Sequence, residues 1–164
     1  MILGFTGHRR LQHDEKVLGR EIVRWLKALK PEKAISGMAL GYDQLAARAC
    51  VCAGVPFIAA LPAKEQPDRW PADYRRIYDR ILARAEKVVY VDALPKYKGK
   101  TLSYIQKLFN RNQWIVDNLD KILAYYLNTL KGGTFRAVCY AHKTGKLVIP
   151  VDHAIRTDGF PDRG

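Results

Sequence analysis

At 164 residues, with 48% hydrophobic and 27% charged residues, the chain has the size and composition of one globular domain with a substantial core, not of a disordered or fibrous polymer. Its formal net charge of +12 favours anionic partners, and no apolar run approaches the roughly 20 residues of a membrane span. Met1-Ile2-Leu3-Gly4-Phe5 carries neither a basic leader nor a small-residue cleavage site, so a cytoplasmic location is expected.

Residues 2–6 are a short apolar run ended by Gly7, the pattern of a buried parallel strand. Val17, Leu18, Ile22, Trp25, Leu26 and Leu29 then recur at helical spacing, with Pro31 beyond the helix end. Residues 33–36 read as a second strand opening into a glycine loop, and 45–53 as an alanine-rich helix stopped by Gly54. Residues 55–61 form a third strand, closed by Pro62, and 63–71 a polar, proline-bearing loop. Tyr74, Ile77, Tyr78, Ile81, Leu82 and Ala85 describe one helical face, followed by a fourth strand over 87–91. After a Lys/Gly loop, a helix buries Ile105, Leu108, Phe109, Ile115, Val116 and Leu119. Residues 121–127 are a fifth strand, 134–143 a short helix and 147–151 a sixth strand.

Regular alternation of strand and helix predicts a single α/β domain over residues 1–155. Its largely parallel sheet of about six strands carries helices on both faces, and a polar tail follows over 156–164. Cys50, Cys52 and Cys139 are expected to be reduced, buried thiols. His8, His13, His142 and His153 lack any metal-ligand spacing, so no metal is expected.

Three strand-to-helix junctions carry glycine beside small polar residues: Thr6-Gly7-His8-Arg9, Ser36-Gly37-Met38-Ala39-Leu40-Gly41-Tyr42-Asp43-Gln44, and Lys131-Gly132-Gly133-Thr134. Loops of this kind converge on the carboxyl edge of a parallel sheet, where open α/β folds bind ligands. Glycine admits close approach of backbone N–H groups to an anion, and the following helix adds unpaired N–H groups and a partial positive charge. A phosphate-bearing ligand, most plausibly a nucleotide, is the chemistry this implies. The Gly-Lys-Ser/Thr end of a Walker loop and the Gly-x-Gly-x-x-Gly dinucleotide fingerprint are both absent. Asp43 is open to two readings, an N-cap or an acceptor for ribose hydroxyls. Thr134 either caps its helix or joins the glycine amides in an anion nest. Arg9 is suited to a bidentate phosphate clamp, and His8 to stacking or hydrogen-bond donation. Asn112 falls on the apolar face of its helix and requires a backbone or ligand partner, with Arg111 beside it expected to be partly exposed.

Thr6-Gly7-His8-Arg9, Gly37-x-Ala39-x-Gly41-x-Asp43-Gln44, Arg111-Asn112 and Gly132-Gly133-Thr134 occur in an order and spacing that resembles the YpsA-like branch of the SLOG superfamily, named from the Smf/DprA and LOG proteins. The resemblance spans about residues 1–150 and implies a Rossmann-like fold whose glycine loops bind nucleotides or nucleotide-derived ligands. Within that superfamily, DprA-type members bind single-stranded DNA and LOG-type members hydrolyse nucleoside monophosphates. The LOG motif carries a catalytic Glu after its Gly-Thr, whereas Phe135-Arg136-Ala137-Val138 follows Thr134 here. Arg10 stands where many YpsA-like sequences resemble Thr-Gly-His-Arg-Pro.

The expected ligand-binding set is therefore Thr6, Gly7, His8, Arg9, Gly37, Met38, Ala39, Gly41, Asp43, Arg111, Asn112, Gly132, Gly133 and Thr134. The expected function is binding of a nucleotide or ADP-ribose-like small molecule, with no required cofactor, by a sensor or regulator. One alternative is a nucleotide hydrolase drawing on Asp43, Asp92 or Asp117. The other is a DprA-like single-stranded nucleic-acid module, for which the dispersed +12 charge argues. Weak nucleic-acid binding, no membrane association and a homo-oligomer left open complete the partner expectations.

Overall fold

The computed structural model describes residues 1–127 and 130–152. Its strands are β1 (Ile2–Gly7), β2 (Lys33–Ser36), β3 (Phe57–Leu61), β4 (Lys87–Tyr90), β5 (Lys121–Tyr125) and β6 (Leu147–Pro150). Between them run α1 (Glu15–Leu29), α2 (Tyr42–Ala53), α3 (Ala72–Leu82), α4 (Tyr104–Asp117) and α5 (Gly133–Lys143). The tail expected from residue 156 lies outside the described residues.

Local chemistry sets the helix ends. The Asp14 carboxylate accepts from the N–H groups of Lys16 and Val17 and starts α1, and Lys30 closes that helix in the left-handed conformation at φ 47°. Ser103 and Gln106 form a reciprocal capping box at the start of α4. α2 starts at Tyr42, three residues before the expected position, because the Tyr42 ring is drawn under the sheet. That ring is fully buried, its hydroxyl donates to the Leu123 carbonyl at 3.1 Å, and it stacks on Tyr125 at 5.6 Å. β3 starts later than expected, because the Val55 N–H is spent on the Cys50 carbonyl in the turn that ends α2.

All strand pairings are parallel, in the order β4-β3-β2-β1-β5-β6. The chain steps outward from β1 to β4, then returns to the other side of β1 for β5 and β6. The point where the direction reverses, between β1 and β5, is the topological switch of a Rossmann-like sheet. Side chains alternate across it. Leu3, Phe5, Ala34, Phe57, Ala59, Leu61 and Leu123 face a large core with α1, α2 and α3, while Ile35, Ala60 and Ile122 face a smaller one with α4 and α5. Leu18, Ile22 and Leu26 of α1 are at most 1% exposed, each such burial contributing about 1.5–3 kcal/mol. Of the three thiols only Cys50 is buried; Cys52 is exposed because positions i and i+2 of a helix cannot share one buried face, and Cys139, on α5, is exposed as well. Among the described residues no helix is long and apolar enough to cross a membrane, and no cluster of His, Cys, Asp and Glu is placed to hold a metal.

Candidate functional site at the switch point

The carboxyl ends of β1, β2 and β5 deliver their loops to one cavity of about 310 Å³ over the switch point. Thr6, Gly7, His8 and Arg9 line it from β1, Ala39 and Asp43 from the β2–α2 junction, and Gly132, Gly133 and Thr134 from the start of α5. Arg111 and Asn112 reach it from α4 together with Leu108 and Phe109, which periodicity assigns to the core. The remaining expected residues, Gly37, Met38 and Gly41, shape the loop without lining the cavity. The Met38 side chain is fully buried, and its backbone stands at φ 58°. That conformation is held by the Ser36 hydroxyl accepting from Met38 N at 3.2 Å and by the Gln44 amide donating to Met38 O at 3.2 Å. At Gly41, φ is +85° and a Cβ would run into the Arg9 carbonyl, so the second loop packs backbone to backbone against the first.

Arg111 and Asn112 exchange their expected surroundings. Arg111 is the buried member, at 4% exposure, and Asn112 is half-buried at the cavity wall. A buried guanidinium requires acceptors, and Arg111 finds them in the Gly37 carbonyl through Nη1 and in the Asn112 side-chain oxygen, 2.9 Å from Nε. Asp43 is not the N-cap of α2; that position is Gly41, with no side-chain capping bond. Its carboxylate, 7% exposed, instead turns back to accept from the Ala39 N–H at 3.4 Å. Burial pushes the Asp43 carboxyl up to about 6, against the opposing pull of Arg111, the Ala39 N–H and Arg9. Thr134 does not cap α5 either: Gly132 is the N-cap, at φ 98° and ψ 175°, without a side-chain bond. The positive φ in this turn belongs to Gly132 and not to Gly133.

His8 Nε2 accepts from Leu127 N at 3.0 Å, which fixes the neutral imidazole with its proton on Nδ1. Burial lowers its pKa in the same sense. Behind it, the Tyr125 hydroxyl accepts from Gln12 N and His13 N and meets His13 Nδ1 at 2.7 Å, tying the β1–α1 loop to the end of β5. Of the three carboxylates considered for hydrolysis, only Asp43 lines the cavity. Asp92 pairs with Lys107 at 3.1 Å and Asp117 accepts from the Tyr140 hydroxyl at 2.9 Å. The cavity thus presents the N-terminus of α5 without a side-chain cap, the exposed cation Arg9, the buried cation Arg111 and one carboxylate. That set can surround and neutralise an anion.

A family described as DNA recombination-mediator protein A matches residues 1–160. A Bacillus subtilis (strain 168) protein, the uncharacterized SPbeta prophage-derived protein YoqJ, is 35% identical over 122 residues, 67% of this chain and 69% of that one. DNA processing protein A from Streptococcus pneumoniae superposes with a TM-score of 0.65 at 20% identity, over 96% of this chain and 56% of that one. The Helicobacter pylori protein of the same name, whose structure describes a single-stranded DNA binding mode, gives 0.66 at 19% identity, over 97% and 73%. The chain therefore spans little more than half the length of the Streptococcus protein, and at these identities the two structures speak for the fold alone.

Proposed function

Because the chain belongs to the DNA recombination-mediator protein A family, within the SLOG superfamily, we propose that it binds a nucleotide or nucleotide-derived ligand, with the phosphate in the switch-point cavity. On its Thr6-Gly7-His8-Arg9 motif we assign it to the YpsA-like branch. The observation that carries the reading is the convergence of Arg9, Arg111 and the N-terminus of α5, which has no side-chain cap, on one small volume. With Asp43 as its single carboxylate and that group engaged with the Ala39 N–H, the cavity suits binding better than paired acid–base hydrolysis. A sensor or regulator is the role that fits.

A panel of nucleotides in a thermal melt tests this. A ligand present at a hundredfold excess over its Kd stabilises the fold by about 2.7 kcal/mol, or roughly 5–10 °C in Tm for a domain of this size. No shift across the panel at millimolar concentration overturns the reading. The second reading is a single-stranded nucleic-acid module, favoured by the family and by the +12 net charge. Submicromolar binding of single-stranded DNA at physiological salt, without a response to mononucleotides, would put it first.

A further inference from the structure

Beside the switch-point cavity lies a second, outer one of about 600 Å³. Arg9 lines both. The two linings are also joined through the Gly37 carbonyl, which accepts from Arg111 of the inner cavity and from the Gln66 amide of the outer one, at 3.1 Å. Gln66 is itself buried and held by the Tyr78 hydroxyl at 3.2 Å, so the outer floor is built from fixed groups. The inner volume alone stands at the bottom of the range for small-molecule sites, whereas the outer one lies well inside it.

We propose that the outer cavity receives the base of a nucleoside monophosphate whose phosphate occupies the inner one; this rests on the reading of the inner cavity given above. The division of charge supports the assignment. The inner cavity gathers Arg9 and Arg111 about a single carboxylate, while the outer rim sets Glu65 and Asp68 against Arg9 and Arg69. Lys107 is already committed to Glu65 at 2.9 Å and to Asp92 at 3.1 Å. The inner cavity carries an excess of cations where the outer rim is charge-balanced, so the uncharged end of the ligand belongs there. Two aromatic rings await it. Tyr104, the first residue of α4, is 39% exposed, and Trp70 is half-buried with its ring fixed edge-on against Tyr78 at 5.3 Å. Every nucleobase has a face that stacks on such rings. Tyr104 shares the outer lining with Arg9, the residue common to both cavities.

Calorimetric titration of wild type and Tyr104→Ala with adenosine 5′-monophosphate and with ribose 5-phosphate tests the assignment. Loss of base stacking is expected to weaken the nucleotide by roughly tenfold and to leave ribose 5-phosphate unchanged. Trp70→Phe keeps a ring in place, and nucleotide-induced quenching of tryptophan emission is expected to disappear in it. Wild-type binding of the nucleotide that is unaltered in Tyr104→Ala, or an equal loss for both ligands, overturns the base subsite and leaves the phosphate cavity standing. Failure of wild type to bind either ligand overturns the phosphate cavity first and the base subsite with it. A 5′-phosphorylated single strand run in parallel separates the two sources of this chemistry. A strand terminus binds at least as tightly as the free nucleotide and loses the same tenfold in Tyr104→Ala, whereas a site for free nucleotide binds the strand more weakly.

Discussion

Asp43 is the residue of the cavity at which ionisation and folding meet. Burial raises its carboxyl to about 6 in the folded protein from an unfolded value near 3.8. A group whose pKa is raised on folding contributes stability that is complete below the unfolded value and lost as pH rises through the folded one. Two pH units at 1.36 kcal/mol each amount to about 2–3 kcal/mol, withdrawn between about pH 4 and pH 6. Asp43→Asn removes this titration, so its stability relative to wild type is expected to rise by that order between pH 4 and pH 7.5 in urea melts. An unchanged difference would mean that Asp43 ionises in the fold as freely as in water. Arg9 is the complementary case. It is exposed and forms no salt bridge among the described residues, so Arg9→Ala is expected to melt like wild type. Loss of a charge-assisted hydrogen bond of about 1.5–3 kcal/mol would weaken a phosphate ligand by roughly ten- to 150-fold in a titration. The sequence located the Arg111-Asn112 pair but not which member is buried. Adjacent helix positions differ by about 100°, and the acceptor that lets Arg111 go inside, Gly37 O, lies 74 residues away in sequence.

The start of α5 shows how far a single turn governs an element. Gly132, at φ 98° and ψ 175°, sits where side-chain-bearing residues cost about 1–3 kcal/mol. Gly132→Val is expected to destabilise by that amount and to weaken ligand binding at least tenfold, by misdirecting the bare N–H groups of the first turn. Gly133→Ala places its Cβ no nearer than 3.6 Å to Asn112 Nδ2, and the protein is expected to keep the wild-type melting temperature. Melts and titrations of both variants check the assignment; binding by Gly132→Val equal to wild type would reduce this loop to a plain turn. The Asp14 cap of α1 is a control far from chemistry, where Asp14→Ala should cost about 1 kcal/mol and leave ligand affinity intact. Strands and helices were legible because short apolar runs and 3.6-residue stripes alternate with glycine and proline breaks. The glycine loops were legible as a group, since each follows a strand. The β3–α3 loop reads from the sequence as polar and proline-bearing, although Trp70 within it is a signal, and its partner Tyr78 is supplied by the next helix.

At the scale of the whole molecule, the +12 charge surrounds a site whose own cations are few. The two kinds of anion recognition therefore differ in their dependence on salt. Single-stranded nucleic acid spread over the basic surface releases counterions, so the logarithm of its affinity falls with log salt at about −0.7 per neutralised phosphate. A mononucleotide held by Arg9, Arg111 and backbone amides engages one phosphate and is expected to show a slope of about one unit or less. Titrations at several salt concentrations separate the surface from the cavity, and a steep slope for the mononucleotide would count against the cavity. The fold class followed from the sequence, but the switch point did not. Its position depends on β5 returning to the far side of β1, which is a matter of long-range pairing.

The hydroxyl of Tyr125, bound to Gln12 N and His13 N with its ring stacked on Tyr42, joins the ends of β1 and β5 to the start of α2 before any ligand arrives. Two of the three loops at the switch-point cavity are thus preorganised and would lose little further freedom on binding a ligand there. Association is then a single docking event without a slow closing step, so the observed rate should rise linearly with ligand concentration and show no plateau.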